Sequence, residues 1–317
     1  AANEHKTWCA VTNKQNKDSV KNLSVFVQQS GSICAFTNSD SWVILSPIEQ
    51  SIKRKIEAVG TPLKDWDINI YRGVLTGCNE AFIISTEKRD EILANCQTED
   101  ERKRTAELIR PILRGRDIKR YGYNWANLWL IYIPWHFPLQ FDESIKGASA
   151  KAEEAFKEQY PAVYNHMLQY KEPLSKRNKA ETGIRYEWYA MQRWGAKYWD
   201  LFFQPHICWK AVGRNLAFAL VEGGTFLTAP ASFISAGSYN KTILAYLCSN
   251  VGKYFIYKNS DTTGAGDIML NIQSLIKFSI PQVTFDFDTL SESAVNKYVY
   301  NTYGFTKDEI SYIEEQI

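Results

Sequence analysis

The chain has 317 residues, 45% of them hydrophobic and 23% charged, with a formal net charge of +2. That is enough apolar material for one large domain or two ordinary ones, and it excludes wholesale disorder. No run of eighteen apolar residues occurs, which excludes a hydropathy-evident membrane helix, and the opening "AANEHKTWCAVTNKQNKDS" has no apolar signal core. With no initiator Met either, the chain reads as a piece of a longer protein. Residues 1–45 suggest short strands, "LSVFVQQSGSICAF" and "SWVILS", around an "SGS" turn. A helix is expected from Pro47, because Ser46 can cap it, Glu49 completes a capping box, Ile48, Ile52, Ile56 and Val59 share a face, and Gly60 stops it. "WDINIYRGVLTG" and "EAFIIS" alternate as paired strands. Thr98 and Glu101 open a charged helix whose apolar side would be Ala106, Leu108, Ile109, Ile112 and Leu113, with Pro111 kinking or ending it. "NLWLIYIP" is a strand, and 149–171 reads as helix interrupted at Pro161. "SKRNKAETGIRYEW" reads as a loop, and "HICWKAVGRNLAFALVEGGTFLTAP" as strands with a Gly223-Gly224 turn. An apolar helix follows over "NKTILAYLCSNVGKYFIY", weakened near Gly252, and then a "DTTGAGD" loop. Two short C-terminal helices close the chain, the first stopped by Gly304 and the second capped by Thr306 with Glu309. Strands and helices without strict alternation predict an α+β fold.

Catalytic signals are weak. The stretch "GVLTGCN" has the wrong glycine spacing for a phosphate-cradling loop and no Lys, so a glycine-permitted turn exposing Thr76 and Asn79 is expected. No Pro-Pro pair exists, so the Asn-Pro-Pro-aromatic site of an amino-methyltransferase is missing. Asp90, Glu101 and Lys103 formally match a metal-nuclease triad, but they lie in a polar helical stretch that reads as a solvated face. The six cysteines and four histidines are scattered without zinc-like spacing, which suits buried reduced thiols in a cytoplasmic protein.

Charge is uneven. From Val283 to Ile317 there are seven acids and two bases. Upstream, Arg110, Arg114, Arg116, Lys119 and Arg120 accompany a single acid, Asp117. The stretch 171–197 carries Lys171, Lys176, Arg177, Lys179, Arg185, Arg193 and Lys197 interleaved with Tyr186, Trp188, Tyr189 and Trp194. Bases neutralise phosphates and aromatics stack or pack, so a polyanion is the expected partner.

The segments "SPIEQSIKRKIEAVGTPLKDWDINIYRGVLTGCNEAFII", "ELIRPILRGRDIKRY", "FFQPHICW", "TFLTAPASFIS", "TILAYLCSNVGKYFI", "IMLNIQSLIKFSIPQ" and "VNKYVYNTYGFTKDEISYIEEQI" come in an order that resembles the TaqI-like C-terminal specificity domain of type IIG restriction–modification enzymes. The likeness runs from about Trp42 to Ile317. It implies sequence-specific recognition of double-stranded DNA, with no catalysis by this chain. S-adenosylmethionine and Mg2+ would be held by methyltransferase and nuclease domains of the same polypeptide. On this reading residues 1–45 are a strand-rich segment that is either a scaffold or the end of the catalytic half, 46–285 form the recognition domain, and 286–317 form an acidic helical tail. The expected DNA contacts are Arg72, Thr76, Asn79, Arg114, Arg116, Lys119, Arg120, Lys176, Arg177, Lys179, Arg185, Tyr186, Arg193, Lys197, Lys210 and Arg214. The rival readings are a specificity subunit that docks on a separate methyltransferase through its C-terminal helices, and a self-contained metal nuclease.

Overall fold

The computed structural model describes residues 6–11, 17–35, 44–214, 216–284 and 291–317. It is a mixed α+β fold built around one antiparallel four-stranded sheet. The strand order is Phe218–Val221, His206–Trp209, Ser232–Ile234, Ile70–Arg72. The register pairs Trp209 with Phe218 and Ser232, and Ser232 with Arg72. Alternate residues point to opposite faces of a strand. Tyr71, Cys208, Ala219 and Phe233 therefore pack into one hydrophobic core, while Ile70, Ile207, Trp209, Phe218 and Ile234 pack into another. The run "HICW" is buried at every position, as a strand covered on both faces requires.

The first core also receives a second sheet, ordered Phe226–Leu227, Ile109–Leu113, Leu128–Ile131, Ile83–Ser85. Around it pack the helices Ala150–Gln159 and Pro161–Leu168, broken at Pro161 as the sequence predicts. The helix Glu99–Leu108 ends before Ile109, so the expected apolar helical side at 109–113 is instead a strand. Pro111 cannot donate a helical hydrogen bond, and the apolar run suits a strand paired antiparallel to 128–131 and parallel to 226–227. Two further expectations change. "EAFIIS" is a short helix, Asn79–Phe82, followed by a strand, Ile83–Ser85. "LSVFVQQS" is a helix, Leu23–Ser30, whose Phe26 is buried and which ends where Gly31 N–H donates to the Val27 carbonyl at 2.9 Å. The start of the expected strand "SWVILS" lies outside the described residues.

The second core is closed by helices Pro47–Val59, Asn240–Cys248, Asn250–Asn259, Glu292–Tyr303 and Lys307–Glu315. The expected single helix over 240–257 is two, because Ser249 leaves the helical conformation and its hydroxyl caps Gly252 N–H. The capping boxes at Ser46/Glu49 and Thr306/Glu309 and the left-handed Gly304 (φ 66°) form as the sequence predicts. Val295, Val299, Tyr303 and Ile313 are buried, so the inner faces of the C-terminal helices complete this core. All six cysteines are unpaired, and burial pushes the Cys208 and Cys248 thiols up, the latter to about 12. Among the described residues no helix is long and apolar enough to cross a membrane.

Glu309 ties this tail to the helix Pro47–Val59. Its carboxylate accepts from Ser51 Oγ at 2.7 Å, Lys55 Nζ at 2.6 Å and Thr306 N at 2.7 Å. Burial alone would raise its pKa, but these donors, Lys55 first, hold it at about 2 instead of 4.5. A carboxylate with a depressed folded pKa stabilises the fold above its unfolded pKa, and that share is lost as pH falls through the folded value. Glu309→Gln should therefore cost about 2 kcal/mol at neutral pH. In denaturant titrations the gap to the parent protein should shrink between pH 4.5 and about 2. A gap that stays constant across that window would show that Glu309 acts by shape alone.

Candidate nucleic-acid interface

Four chain segments lie side by side at one end of the central sheet, and backbone hydrogen bonds fix their order. Leu75 and Arg193 exchange N–H···O bonds of 2.9 Å. Val74 N donates to the Leu227 carbonyl at 2.7 Å, and Ala229 N returns one to Val74 at 2.9 Å. Thr228 N donates to the Leu113 carbonyl at 3.0 Å. The lateral order is thus the 193 segment, 73–75, 227–229 and 113–114. Arg72 leads into the second of these, and Arg114 and Arg116 lead out of the fourth. Lys210 follows the strand His206–Trp209 and lies against the same loop: a Cβ on Gly115 would stand 3.1 Å from Lys210 Cβ. Tyr198 pins the 193–198 segment to Arg72, stacking on Tyr71 with ring centroids 4.3 Å apart and donating its hydroxyl to the Arg72 carbonyl at 3.0 Å.

Along this strip Arg72, Arg116, Lys119, Arg193 and Lys197 are all exposed. Among the described residues no carboxylate pairs with any of them; Lys119 Nζ donates only to the Arg116 carbonyl, at 3.1 Å. Exposed cations with no carboxylate partner are free to meet a polyanion. Lys179 is also exposed, while Lys176, Arg185 and Arg214 pair with Glu172, Glu181 and Asp267. Exposed pairs of that kind are weak and can be exchanged for phosphates.

Several expected DNA contacts face inward. Thr76 is 2% exposed; its hydroxyl donates to Asn79 Oδ1 at 2.7 Å and accepts from Cys78 N at 3.3 Å. Asn79 itself is exposed but spends its carbonyl oxygen on Thr76. Tyr186 is fully buried and stacked on Trp135. The Arg177 guanidinium donates to the carbonyls of Thr76, Leu174, Trp188 and Ala190 and lies over the rings of Phe82 and Tyr186. Burial pushes it down to about 10, which leaves it a cation committed to its own chain. Arg114 grips Asp117 through two nitrogens at 2.9 and 2.8 Å. Arg120 reaches Glu292 and the Cys248 carbonyl, cross-linking the sheet edge to a C-terminal helix. The two glycines of "GVLTG" serve the chain as well. A Cβ on Gly73 would meet the Leu227 carbonyl oxygen at 2.4 Å, and Gly77 holds φ at +75° beneath Arg177.

The nuclease reading fails on geometry. Glu101 is buried, and its oxygens accept from the backbone of Gln97 at 2.8 Å and of Ala162 at 3.0 Å, so it is a helix-start clamp with no lone pair presented to solvent. Sequence reasoning also missed residues around a nearby aromatic cavity, notably Phe141, Trp199 and Phe203. The ring-dense stretches "HFPLQF" and "KYWDLFF" were the available signal.

No protein-family model matches the chain, and no curated protein matches it. Solved structures do. The type IIG restriction endonuclease BpuSI aligns over 84% of this chain and 31% of its own, with 13% identity and a TM-score of 0.47. The type IIL restriction-modification enzyme MmeI, solved in complex with DNA, aligns over 90% of this chain and 39% of its own, with 12% identity and a TM-score of 0.46. The chain thus spans under two fifths of the length of either enzyme.

Proposed function

We propose that this chain binds double-stranded DNA as the target-recognition part of a restriction–modification enzyme. The observation that carries the reading is the set of exposed cations without a carboxylate partner, Arg72, Arg116, Lys119, Arg193 and Lys197, on or following the hydrogen-bonded segments. The order of sequence segments that resembles a type IIG specificity domain supports the same reading. The partners are then duplex DNA and catalytic domains of the same polypeptide, which would hold S-adenosylmethionine and Mg2+. Phosphate contacts position such a module, and base-edge contacts give it specificity.

Fluorescence anisotropy with a random duplex pool across a salt series tests this, with recovery and sequencing of the bound fraction. Affinity should fall steeply with salt, with a log–log slope of about −0.9 per phosphate contact. Arg116→Ala and Arg193→Ala should each flatten that slope by about one contact while leaving stability within about 0.5 kcal/mol, as exposed substitutions do. Salt-independent binding, or variants that titrate like the parent, would sink the proposal. An enriched short motif in the bound fraction would name the target.

A further inference from the structure

A cavity of about 290 Å³ lies beside the helix Glu99–Leu108, walled by Tyr132, Phe137, Phe141, Trp194, Trp199 and Phe203. Two of these rings form its lips: Phe141 is 65% exposed and Phe203 is 40% exposed. Phe141 packs on Trp199 with ring centroids 5.6 Å apart, and Trp199 meets Phe203 edge-on at 5.9 Å. Adjacent exposed rings at a cavity mouth are a common mark of a binding site.

Two arginines reach into this aromatic setting. Arg104 lies over the Tyr160 ring and donates Nη2 to the Gln159 carbonyl at 3.0 Å. Arg110 lies over the Phe203 ring, 5.1 Å from its centroid, and has no hydrogen-bond or ion-pair partner among the described residues. Burial lowers its pKa, and the field of Glu107 only partly offsets this. The side-chain carbonyl of Gln140, which also lines the cavity, is buried without a donor. A covered guanidinium Nε and a covered amide oxygen, both unmatched, are costly. A ligand that brings acceptors and donors on one edge would relieve both once the two side chains turn toward it.

These features select among ligands. A bare phosphate would meet the carboxylate of Glu107, which also lines the cavity. A hydrocarbon ring from a peptide would leave Arg110 and Gln140 unmatched. A nucleobase has two stacking faces and an edge of mixed donors and acceptors. We propose that this cavity takes one unstacked nucleobase, either turned out of a duplex or carried by a free nucleotide. The duplex source rests on the DNA-binding reading above. Continuity supports it: Trp194 and Trp199 are cavity walls on the same segment that carries Arg193 and Lys197.

The test titrates the whole chain with three probes. These are a fully paired duplex containing 2-aminopurine, the same duplex with that base as a single-nucleotide bulge, and deoxyadenosine monophosphate. The bulged duplex should bind about tenfold more tightly than the paired one, the scale of one base stacked on protein rings, with quenched 2-aminopurine fluorescence. Phe141→Ala and Arg110→Gln should abolish or reduce that ratio; a ratio that survives both overturns the proposal. Saturable tryptophan quenching by the mononucleotide, lost in Phe141→Ala and without duplex preference, assigns the free nucleotide instead. Equal duplex affinities with no response to the mononucleotide overturn the proposal and leave the cationic strip standing. If neither duplex binds, the strip reading falls and the mononucleotide titration alone decides: saturable quenching sustains the cavity assignment, and its absence ends it.

Discussion

Arg177→Ala should cost about 4 kcal/mol in denaturant unfolding, the largest loss expected from any single basic residue in the chain. The guanidinium supplies donors to four backbone carbonyls, of Thr76, Leu174, Trp188 and Ala190. Each carbonyl left dry and unmatched costs about 1–3 kcal/mol, and the losses partly relax against one another. Arg177→Lys should rescue little, because an ammonium cannot reproduce a planar fork of donors reaching three separate segments. The same variant should leave the salt slope of DNA binding unchanged wherever the fold persists. A stable Arg177→Ala protein with weakened DNA binding would reverse the assignment and return this residue to the interface.

Gly73→Ala should cost about 3 kcal/mol, the upper end of what overpacking does. The added methyl would meet the Leu227 carbonyl oxygen at 2.4 Å and the carbonyl carbons of Leu227 and Thr228 at 2.7 Å, all of them backbone. The chains can part only by breaking the Val74–Leu227 hydrogen bond. Gly77→Ala is the control: its close neighbours are the Gln192 and Arg177 side chains, at 2.9 and 3.0 Å, and its penalty comes from the positive φ. Thermal melts should show a larger drop for Gly73→Ala. Because Gly73 also sets the spacing between Arg72 and the Arg114–Arg116 loop, its variant should bind duplex DNA more weakly than its fraction folded accounts for.

What was legible in the sequence was local. The caps at Ser46 and Thr306, the stop at Gly304 and the break at Pro161 depend on residues a few positions apart, and they stand where the pattern put them. The strand at 109–113 was not legible, because its partners come from 128–131 and 226–227 and no periodicity in a short apolar run reports a distant partner. The exposed cations were half legible. Basic runs marked stretches in which several stand, but composition cannot tell a cation facing solvent from one facing its own carbonyls. Arg177 and Arg193 stand in the same run; the first is drawn under Trp188 and Ala190, and the second stays exposed because only its backbone pairs with Leu75.

The central sheet has a further consequence. Cys208 faces one core and its neighbours Ile207 and Trp209 face the other, so one ladder of hydrogen bonds serves both halves of the molecule. Neither half can be excised with a complete sheet of its own, and neither can melt without stripping cover from the other. The two cores should therefore unfold together, and Arg72, at the end of a strand of that shared wall, should keep its place until they do.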